Sequence, residues 1–503
     1  MNKPFKVAIV GAGAAGIFTA AAIKRNIPNV EVEIVFDPKL KHIGVGESLG
    51  FSARSFFREV LGLSNEKEWL DQSQSTKKFG IRFLGWDNTD IPSFWGPGAS
   101  QFVGFTGPNS TESLEDIWLN FHKRGLRTAE DFQYDFPFAR FCTNNMSLDR
   151  IMYTYHINAE YIKDIVHEKV GLPSGVKERP VPVREVVVND QGVDHLILED
   201  GTTVHADLFI DSTGFGKLLV KKLPFVFEPA EETFNDTAIV GPYRYKEEHE
   251  KNRVFTDHVC MDWGWRFSVP LTERTGEGYI SNSRIFSNHD QLIAEWEQSA
   301  GKKGIIGRVL KWEPGYLKDV FVKNCIVIGL GHGMIEPYDA NVFTTSLKVI
   351  RELVGLLKDD TDYTLSWQQE FNKRTKSYVD DVKLRISTAM HLSPRKGEYW
   401  DIMREEGKKN NTLEKLTENI FYSPPEFGIW NNPVGQHSYL EMLHYYGYDL
   451  TSIKTQDINL NPFKEKKALA VFKSINEYQR QLDLSDCHRL IPRRSSMDRT
   501  ILS

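Results

Sequence analysis

The sequence predicts an α/β fold in which a nucleotide-binding parallel sheet is assembled from separate parts of the chain. Residues 5–16, 204–215 and 326–333 each read as a strand that runs into a glycine-rich turn. In the first of these segments a helix follows, and a strand, a glycine turn and a helix form the repeating unit of doubly wound α/β folds. We therefore expect one discontinuous sheet with large insertions between its parts.

The first segment has the residues that a dinucleotide-binding turn requires. A strand over residues 5–10 leads into GAGAAG at positions 11–16, and residues 17–25 read as a helix. The three glycines allow a tight turn, close approach of a pyrophosphate, and close packing of helix on strand. The helix N-terminus offers free N–H groups to phosphate oxygens. The pattern predicts the following cofactor-binding residues: Gly11, Gly13, Ala14, Ala15 and Gly16.

A second strand, over residues 30–36, ends at Asp37, about twenty residues after the turn, where an acid can bind a ribose hydroxyl. The alternative is a glycine-rich turn without a ligand. The fingerprint alone does not distinguish NAD from FAD.

Composition excludes several other classes of protein. The 503 residues carry 62 basic and 68 acidic side chains, a net charge of −6, so no basic excess suggests nucleic-acid binding. The four cysteines have neither disulfide density nor metal-ligand spacing, which fits a reducing cytosol. The uncharged run over residues 7–23 is too short and too rich in Ala and Gly to span a bilayer. We expect a cytoplasmic protein without a membrane partner and without a metal.

The layout of the three strand ends is analogous to flavoprotein monooxygenases of the hydroxybenzoate hydroxylase type. This analogy predicts a Rossmann-like FAD-binding domain from residues 1–90, 200–220 and 322–360. Residues 91–199 and 221–321 would form an inserted, substrate-facing sheet and helix region. Residues 361–503 would be mostly helical, including one long amphipathic helix over 366–392.

Five further motifs, in the same order along the chain, resemble those of flavin-dependent halogenases, the family that includes the tryptophan halogenases. They are GVGES at 44–48, KFGIRFLGW at 78–86, YHINA at 155–159, DSTGF at 211–215 and WGWRFSVP at 263–270. The resemblance adds these residues to the flavin site: Gly46, Glu47, Ser48, Asp211, Gly214, Gly329 and Gly331.

The chain also departs from the family pattern. Leu330 replaces an aspartate, and Asp339 stands where the family has its active-site glutamate. Asn341 and Val342 replace the Thr-Gly pair whose amides hold halide, and the family's ribose glutamate aligns with Phe36 rather than Asp37.

The resemblance implies a chemistry for these positions. Reduced FAD and O₂ form a flavin hydroperoxide, halide attacks it, and hypohalous acid passes through a tunnel to the substrate. Lys78 would hold the halogen at the end of this tunnel, where desolvation lowers the pKa of an amine. Asp339 would accept the ring proton or stabilise the cationic intermediate. The structural alternatives are a solvated Lys78 on a strand edge and a turn residue at Asp339.

Aromatic residues, 12% of the chain, supply candidates for the substrate pocket. Trp263 and Trp265 alternate on a strand-like run, so both would face one side of a sheet. The family resemblance implies that they line the space beside the flavin. Ordinary core packing explains this Trp pair equally well. Phe94, Trp95 and Trp430 are further candidates, with a core or surface position as the alternative for each.

We therefore predict an FADH₂-, O₂- and halide-dependent halogenase of an electron-rich aromatic or heteroaromatic substrate, served by a separate flavin reductase. Because Val342 is disfavoured at positive φ, the amide site for chloride should be impaired, which favours iodide and bromide. The alternatives are a single-component aromatic monooxygenase and a flavin-binding protein without turnover. The sequence leaves open the substrate and whether the chain forms a homo-oligomer.

Overall fold

The computed structural model describes most of the first 450 residues. The described residues are 4–40, 44, 46–50, 52–78, 80–87, 93–95, 114–127, 153–246, 251, 253–303, 307–338, 341–359, 365–422, 436–449 and six single positions from 462 to 473. Within them the fold is α/β with a helical C-terminal region, as the sequence predicts.

The strands, numbered in chain order, are β1 Lys6–Val10, β2 Glu31–Val35, β3 Glu47–Ser48, β4 Thr76–Lys78, β5 Gly80–Leu84, β6 Ser93–Trp95, β7 Thr154–Ile157, β8 Lys177–Arg179, β9 Val183–Asn189, β10 Gly192–Leu198, β11 Thr203–Val204, β12 Leu208–Asp211, β13 Phe227–Pro229, β14 Thr237–Arg244, β15 Phe255–Met261, β16 Gly264–Pro270, β17 Arg274–Ser281, β18 Arg308–Lys311, β19 Gly315–Leu317, β20 Phe321–Val322, β21 Cys325–Val327 and β22 Gly333–Met334.

The α-helices are α1 Ala14–Asn26, α2 Ser52–Ser55, α3 Glu66–Gln72, α4 Leu114–Lys123, α5 Ala159–Val166, α6 Leu172–Ser174, α7 His289–Ala300, α8 Asn341–Asp359, α9 Leu365–His391, α10 Glu398–Lys409, α11 Thr412–Tyr422 and α12 Gln436–Tyr445.

The first sheet has the order β20-β21-β12-β1-β2-β8, and all its pairs are parallel except that of β20 with β21. Its central strands are apolar and buried, as both faces of a covered parallel sheet require. Three strand ends predicted from separate parts of the sequence thus lie side by side. One boundary was wrong, because residues 204–210 are not one strand: β11 ends at Val204 in another sheet, and β12 begins at Leu208.

The second sheet has seven strands in the order β18-β14-β17-β16-β15-β5-β6, and only β15 and β5 pair in parallel. Its strand β5 comes from the range predicted for the FAD-binding domain, and β8 of the first sheet comes from the predicted insertion. The chain passes four times between the two sheets, from β2 to β5, β6 to β8, β12 to β14 and β18 to β20. The predicted domain boundaries stay a prediction.

The long helix predicted over residues 366–392 is α9, which spans Leu365–His391. Its Phe371 packs in the core of the parallel sheet, whereas Ile386 and Ala389 pack in the core of the seven-stranded sheet. Helix α9 therefore packs against both sheets and connects their two hydrophobic cores.

Candidate active site

A cavity of about 650 Å³ lies where the carboxyl ends of the parallel strands meet the seven-stranded sheet. Ligands of open α/β sheets bind at this edge. The predicted cofactor- and halide-binding residues that line the cavity are Gly11, Gly13, Ala14, Ala15, Asp37, Gly46, Glu47, Ser48, Gly214, Gly329, Asn341 and Val342.

The glycine turn after β1 is shaped for close approach of a ligand. Gly11 has φ of +106°, and a Cβ there would lie 2.6 Å from the carbonyl oxygen of Ser212. Helix α1 begins beyond Gly13 without a side-chain cap, so its first amides face the cavity rather than a capping oxygen. Free amides at a helix N-terminus fit the pyrophosphate of a dinucleotide.

Both candidates for the ribose acid position, Phe36 and Asp37, line the cavity. They follow directly after β2, and one Asp37 oxygen accepts the backbone N–H of Lys39 at 2.8 Å. Leu330, in place of the family aspartate, also lines the cavity, so a neutral side chain replaces a carboxylate there.

Three residues predicted to bind the cofactor do not line the cavity. Asp211 is fully buried and accepts hydrogen bonds from the backbone N–H groups of Thr213, Leu219 and Val220. Its carboxylate therefore shapes the turn after β12 instead of meeting a ligand.

The other two are glycines that permit close packing. A Cβ on Gly16 would lie 2.0 Å from the carbonyl oxygen of Gly11, and one on Gly331 would lie 2.9 Å from a methyl carbon of Val327. We correct the assignment of these residues, with Asp211, from cofactor contact to support of the turns.

Lys78 lies at the end of β4 and is only 3% exposed. Its Nζ donates to the carbonyl oxygen of Leu49 at 3.1 Å, and Leu49 follows the cavity-lining Ser48. The positive charge of Lys78 contributes to lowering the pKa of His258, which lines the cavity, although burial is the larger cause. Lys78 is therefore not the solvated edge residue of the structural alternative.

Neither Trp263 nor Trp265 lines the cavity, which corrects the prediction that both flank the flavin. Trp263 lies in the turn before β16, not on the strand, and stacks on Phe286 with ring centroids 4.2 Å apart. Trp265 is fully buried in β16, and its ring lies 4.8 Å from that of the cavity-lining His258.

Trp265 belongs to a buried aromatic cluster beside the cavity. Its other members include Phe83, Trp86 and Tyr338, whose rings lie 5.6 to 6.2 Å from one another or from Trp265. The motifs predict no role for His258, which precedes WGWRFSVP by five residues, or for Tyr338, which directly precedes Asp339.

Two carboxyls at or near the cavity have raised pKa values. Burial raises the pKa of the cavity-lining Glu47 to about 7, against the opposing charge of Arg274. Burial also raises the pKa of Glu336 to about 7, although Asn235 and the indole Nε1 of Trp265 each donate to its Oε2 at 2.8 Å. Among the residues that the structure describes, none hydrogen-bonds to its Oε1. No sequence motif predicts a role for Glu336.

The segment that departs from the family's halide motif begins helix α8. Asn341 is the first residue of this helix, and its side-chain amide donates to the carbonyl oxygens of Glu336 and Tyr338 at 2.9 and 2.8 Å. Val342 lies within the helix, so the glycine-like conformation of the family segment is absent at this described position.

Other predicted site residues are not placed by the structure. Asp339 and Trp430 lie outside the described residues. Phe94 and Trp95 lie on β6, but their side chains are outside the description. Their roles stay predictions.

Two further observations concern membranes and metals. Among the described residues, no helix is both long and apolar enough to cross a bilayer. Asp194, His195 and His205 bring their ligand atoms within 4.8 Å of one another, but none of them lines the cavity.

The fold and the cavity define a dinucleotide-binding α/β protein, because the glycine turn after β1 and the N-terminus of α1 open into the cavity at the carboxyl ends of the parallel strands. The sequence model of the tryptophan halogenase family matches residues 6–445. The chain belongs to this family.

Individual relatives agree with this assignment. Tryptophan 7-halogenase KtzQ of Kutzneria sp. (strain 744) is 24% identical over 445 residues, covering 82% of this chain and 81% of its own. The tryptophan halogenase of Shewanella frigidimarina NCIMB 400 superposes with a TM-score of 0.80 at 21% identity, covering 96% of both chains. BrvH, a flavin-dependent halogenase from Brevundimonas sp. BAL3, gives a TM-score of 0.76 at 22% identity, covering 95% of this chain and 97% of its own.

Family membership confirms the predicted class of enzyme. The protein is a flavin-dependent halogenase of aromatic substrates that uses FADH₂, O₂ and halide and needs a separate flavin reductase.

Proposed function

We propose that this enzyme forms hypohalous acid in the cavity between the sheets and that Lys78 delivers the halogen to an electron-rich aromatic or heteroaromatic substrate. The observation that carries the proposal is the burial of Lys78 behind the cavity-lining segment that contains Ser48. When bound, reduced FAD together with O₂ supplies the two-electron oxidation of halide. The residues of the protein then have to bind the hypohalous acid, guide it to the substrate and transfer its halogen.

The position of Lys78 suits this task for two reasons. Its Nζ is held by the Leu49 carbonyl, and Leu49 is itself fixed by its N–H bond to the carbonyl of Tyr155 at 2.9 Å. A buried amine can hydrogen-bond hypohalous acid or form a haloamine without exposing either species to bulk water.

We propose Asp339 as the group that accepts the ring proton or stabilises the cationic intermediate. It lies in sequence between Tyr338, in the aromatic cluster, and Asn341, in the cavity wall. The family resemblance puts the active-site carboxylate at this position of the sequence, and a carboxylate that accepts the ring proton has to lie within hydrogen-bond reach of it. We also propose that the aromatic pocket is completed by Phe94, Trp95 and Trp430.

We propose that iodide and bromide are preferred over chloride. The first residues of helix α8 line the cavity and offer amides and a positive dipole end to an anion. Because Val342 is helical, this site lacks the tight glycine concavity of the family motif. Chloride holds its hydration shell most strongly, so a less complete site penalises chloride most.

The proposed role of Lys78 is tested by Lys78→Met, with Lys77→Met as the matched control. Lys77 is the adjacent lysine, but its Nζ pairs with Glu66 at 2.9 Å on the other side of the strand. We expect Lys78→Met to lower aryl halide formation by two or more orders of magnitude, roughly the scale of a lost catalytic group. FAD binding and the oxidation of reduced flavin should stay near those of the parent.

The assay supplies FADH₂ with a flavin reductase and follows halogenated product by mass spectrometry. Halogenation by Lys78→Met at a substantial fraction of the parent rate would show that Lys78 does not deliver the halogen. A parent that binds FAD but yields no halogenated product with a broad aromatic panel would favour a flavin-binding protein without turnover. A cytoplasmic location and the absence of a membrane partner stay predictions of the sequence, which predicts no particular oligomeric state.

A further inference from the structure

A chain of hydrogen bonds connects the cavity wall to His156, a motif residue with no role so far. Ser48 Oγ lies 2.7 Å from Thr256 Oγ1, and both residues line the cavity. Thr256 Oγ1 lies 2.9 Å from His156 Nε2, and His156 Nδ1 lies 3.1 Å from Thr76 Oγ1. Ser48, Thr256 and His156 are all buried. The chain thus joins two family-like motifs, GVGES and YHINA, through one residue of the large sheet.

The last hydrogen bond of the chain fixes the direction of all the others. Thr76 donates its single hydroxyl hydrogen to the carbonyl oxygen of Pro270 at 2.8 Å, so its oxygen has to accept from His156 Nδ1. A neutral imidazole with its hydrogen on Nδ1 accepts at Nε2, and Thr256 therefore donates to it.

The same reasoning extends to the cavity wall. Because Thr256 donates its single hydroxyl hydrogen to His156, its oxygen can only accept from Ser48. Ser48 is therefore the donor of the 2.7 Å hydrogen bond to Thr256. The single hydroxyl hydrogen of Ser48 then points to Thr256. Toward the cavity, the Ser48 hydroxyl can offer lone pairs and no hydrogen.

The charges around His156 keep this direction stable. Burial is the largest cause that lowers the pKa of His156, and the charges of Lys78 and Arg253 lower it further. Asp257 opposes them, but its carboxylate is already held by Arg82 through two hydrogen bonds of 2.7 and 2.8 Å. A protonated, positively charged His156 would reverse the direction of these hydrogen bonds and make Ser48 a donor to the cavity. The burial and the positive charges around His156 disfavour this protonated form.

We propose that His156, acting through Thr256, holds Ser48 as a hydrogen-bond acceptor that favours reduced over oxidised flavin in the cavity. Reduction of a flavin ring places hydrogens on ring nitrogens that are acceptors in the oxidised form, and hydrogen bonds to these nitrogens tune the cofactor. An acceptor without a hydrogen therefore matches the reduced ring better.

This selectivity suits an enzyme that takes FADH₂ from a separate reductase, because oxidised FAD competes for the same space. The inference rests on the proposed placement of the flavin in the cavity. His156 is a positioning residue, since it does not line the cavity itself.

The experiment compares Thr256→Val, which removes the hydroxyl at nearly constant shape, with Thr256→Ser, which keeps it. The dissociation constants of oxidised FAD and, anaerobically, of FADH₂ are measured by fluorescence titration. In the parent the reduced form should bind more tightly. A single hydrogen bond corresponds to roughly a 3- to 10-fold change, so Thr256→Val should lower this preference by about that factor. A tenfold loss appears as a midpoint potential about 30 mV lower for the bound flavin.

Thr256→Ser should keep the parent's preference, and so should Thr237→Val, a control that removes another buried threonine hydroxyl from the same sheet. If Thr256→Val does not fold, Ser48→Ala replaces it with the same expected loss. An unchanged ratio of the two dissociation constants in the valine and alanine variants would overturn the proposal while leaving the flavin site intact. Failure of the parent to bind either form would instead overturn the proposed placement of the flavin, and this inference with it.

An independent measurement uses the apoprotein. With ¹⁵N-labelled histidine, the NMR signals of His156 should show a neutral ring with hydrogen on Nδ1 and a free Nε2 at neutral pH. Hydrogen on Nε2 instead would make Thr256 the donor to Ser48 and leave the Ser48 hydrogen available to the cavity, which would contradict the proposal without any reference to the flavin.

Discussion

Glu336 gives a quantitative test of the buried network beneath the cavity. Its carboxyl is completely buried, its pKa is raised to about 7 from the ordinary 4.5, and burial is the main cause. Between these two pH values the folded protein keeps a proton that the unfolded chain has lost. Stability is therefore lost as pH rises from about 4.5 to 7, at about 1.4 kcal/mol per pKa unit. The whole penalty at neutral to alkaline pH is about 3 kcal/mol.

Glu336→Gln should remove this pH dependence. The amide keeps the shape and a carbonyl oxygen that accepts from Asn235 and Trp265, and it has no charge to bury. Relative to the parent, the variant should gain stability as pH is raised, by about 2 to 3 kcal/mol between roughly pH 5 and pH 8. Urea unfolding followed by tryptophan fluorescence at both pH values gives the difference directly.

The control for this measurement is Glu405→Gln, since the Glu405 side chain is 71% exposed. Its stability difference from the parent should be small at both pH values. A difference between Glu336→Gln and the parent that is the same at both pH values would refute the argument, because it would show that Glu336 does not retain its proton on folding.

Three other changes are expected to separate contact residues from supporting ones. Gly16→Ala places a Cβ 2.0 Å from the Gly11 carbonyl oxygen, so it should abolish FAD binding and destabilise the fold by about 1–3 kcal/mol in thermal unfolding and FAD titrations. The control is Gly355→Ala on α8, where a Cβ meets open space, and the same measurements should find it neutral or stabilising. Asp339→Asn should lower halogenation of weakly activated rings by about a hundredfold or more and that of phenols less; an equal, small loss in product assays would make Asp339 a turn residue. With the three halides at equal concentration and catalase present, product should decrease from iodide to bromide to chloride, and chloride product equal to bromide product would show that the segment around Val342 builds a working chloride site.

The parts of the site that follow local rules could be predicted from the sequence. The turn at residues 11–16 and the acid at Asp37 lie where the spacing predicts, because backbone geometry and strand order determine them. Trp263 was placed wrongly because the alternation over WGW looks like a strand, while the chain reverses before Gly264, whose φ is +146°. His258 and Glu336 could not be found in this way, because their importance comes from burial and from partners on other strands.

The supporting residues have a common physical reason to be part of the motifs. The carboxylate of Asp211 accepts hydrogen bonds from three backbone N–H groups that follow β12. Without it these groups would lack a hydrogen-bond partner. Gly16 and Gly331 remove a Cβ where backbone or core atoms already fill the space. Such positions matter to the site as much as direct contacts do, because a turn displaced by a fraction of an ångström no longer presents its amides to the ligand. Spacing in the sequence therefore identifies the turn as a whole, and only the surroundings of each side chain distinguish the residues that meet the flavin from those that hold the turn in place.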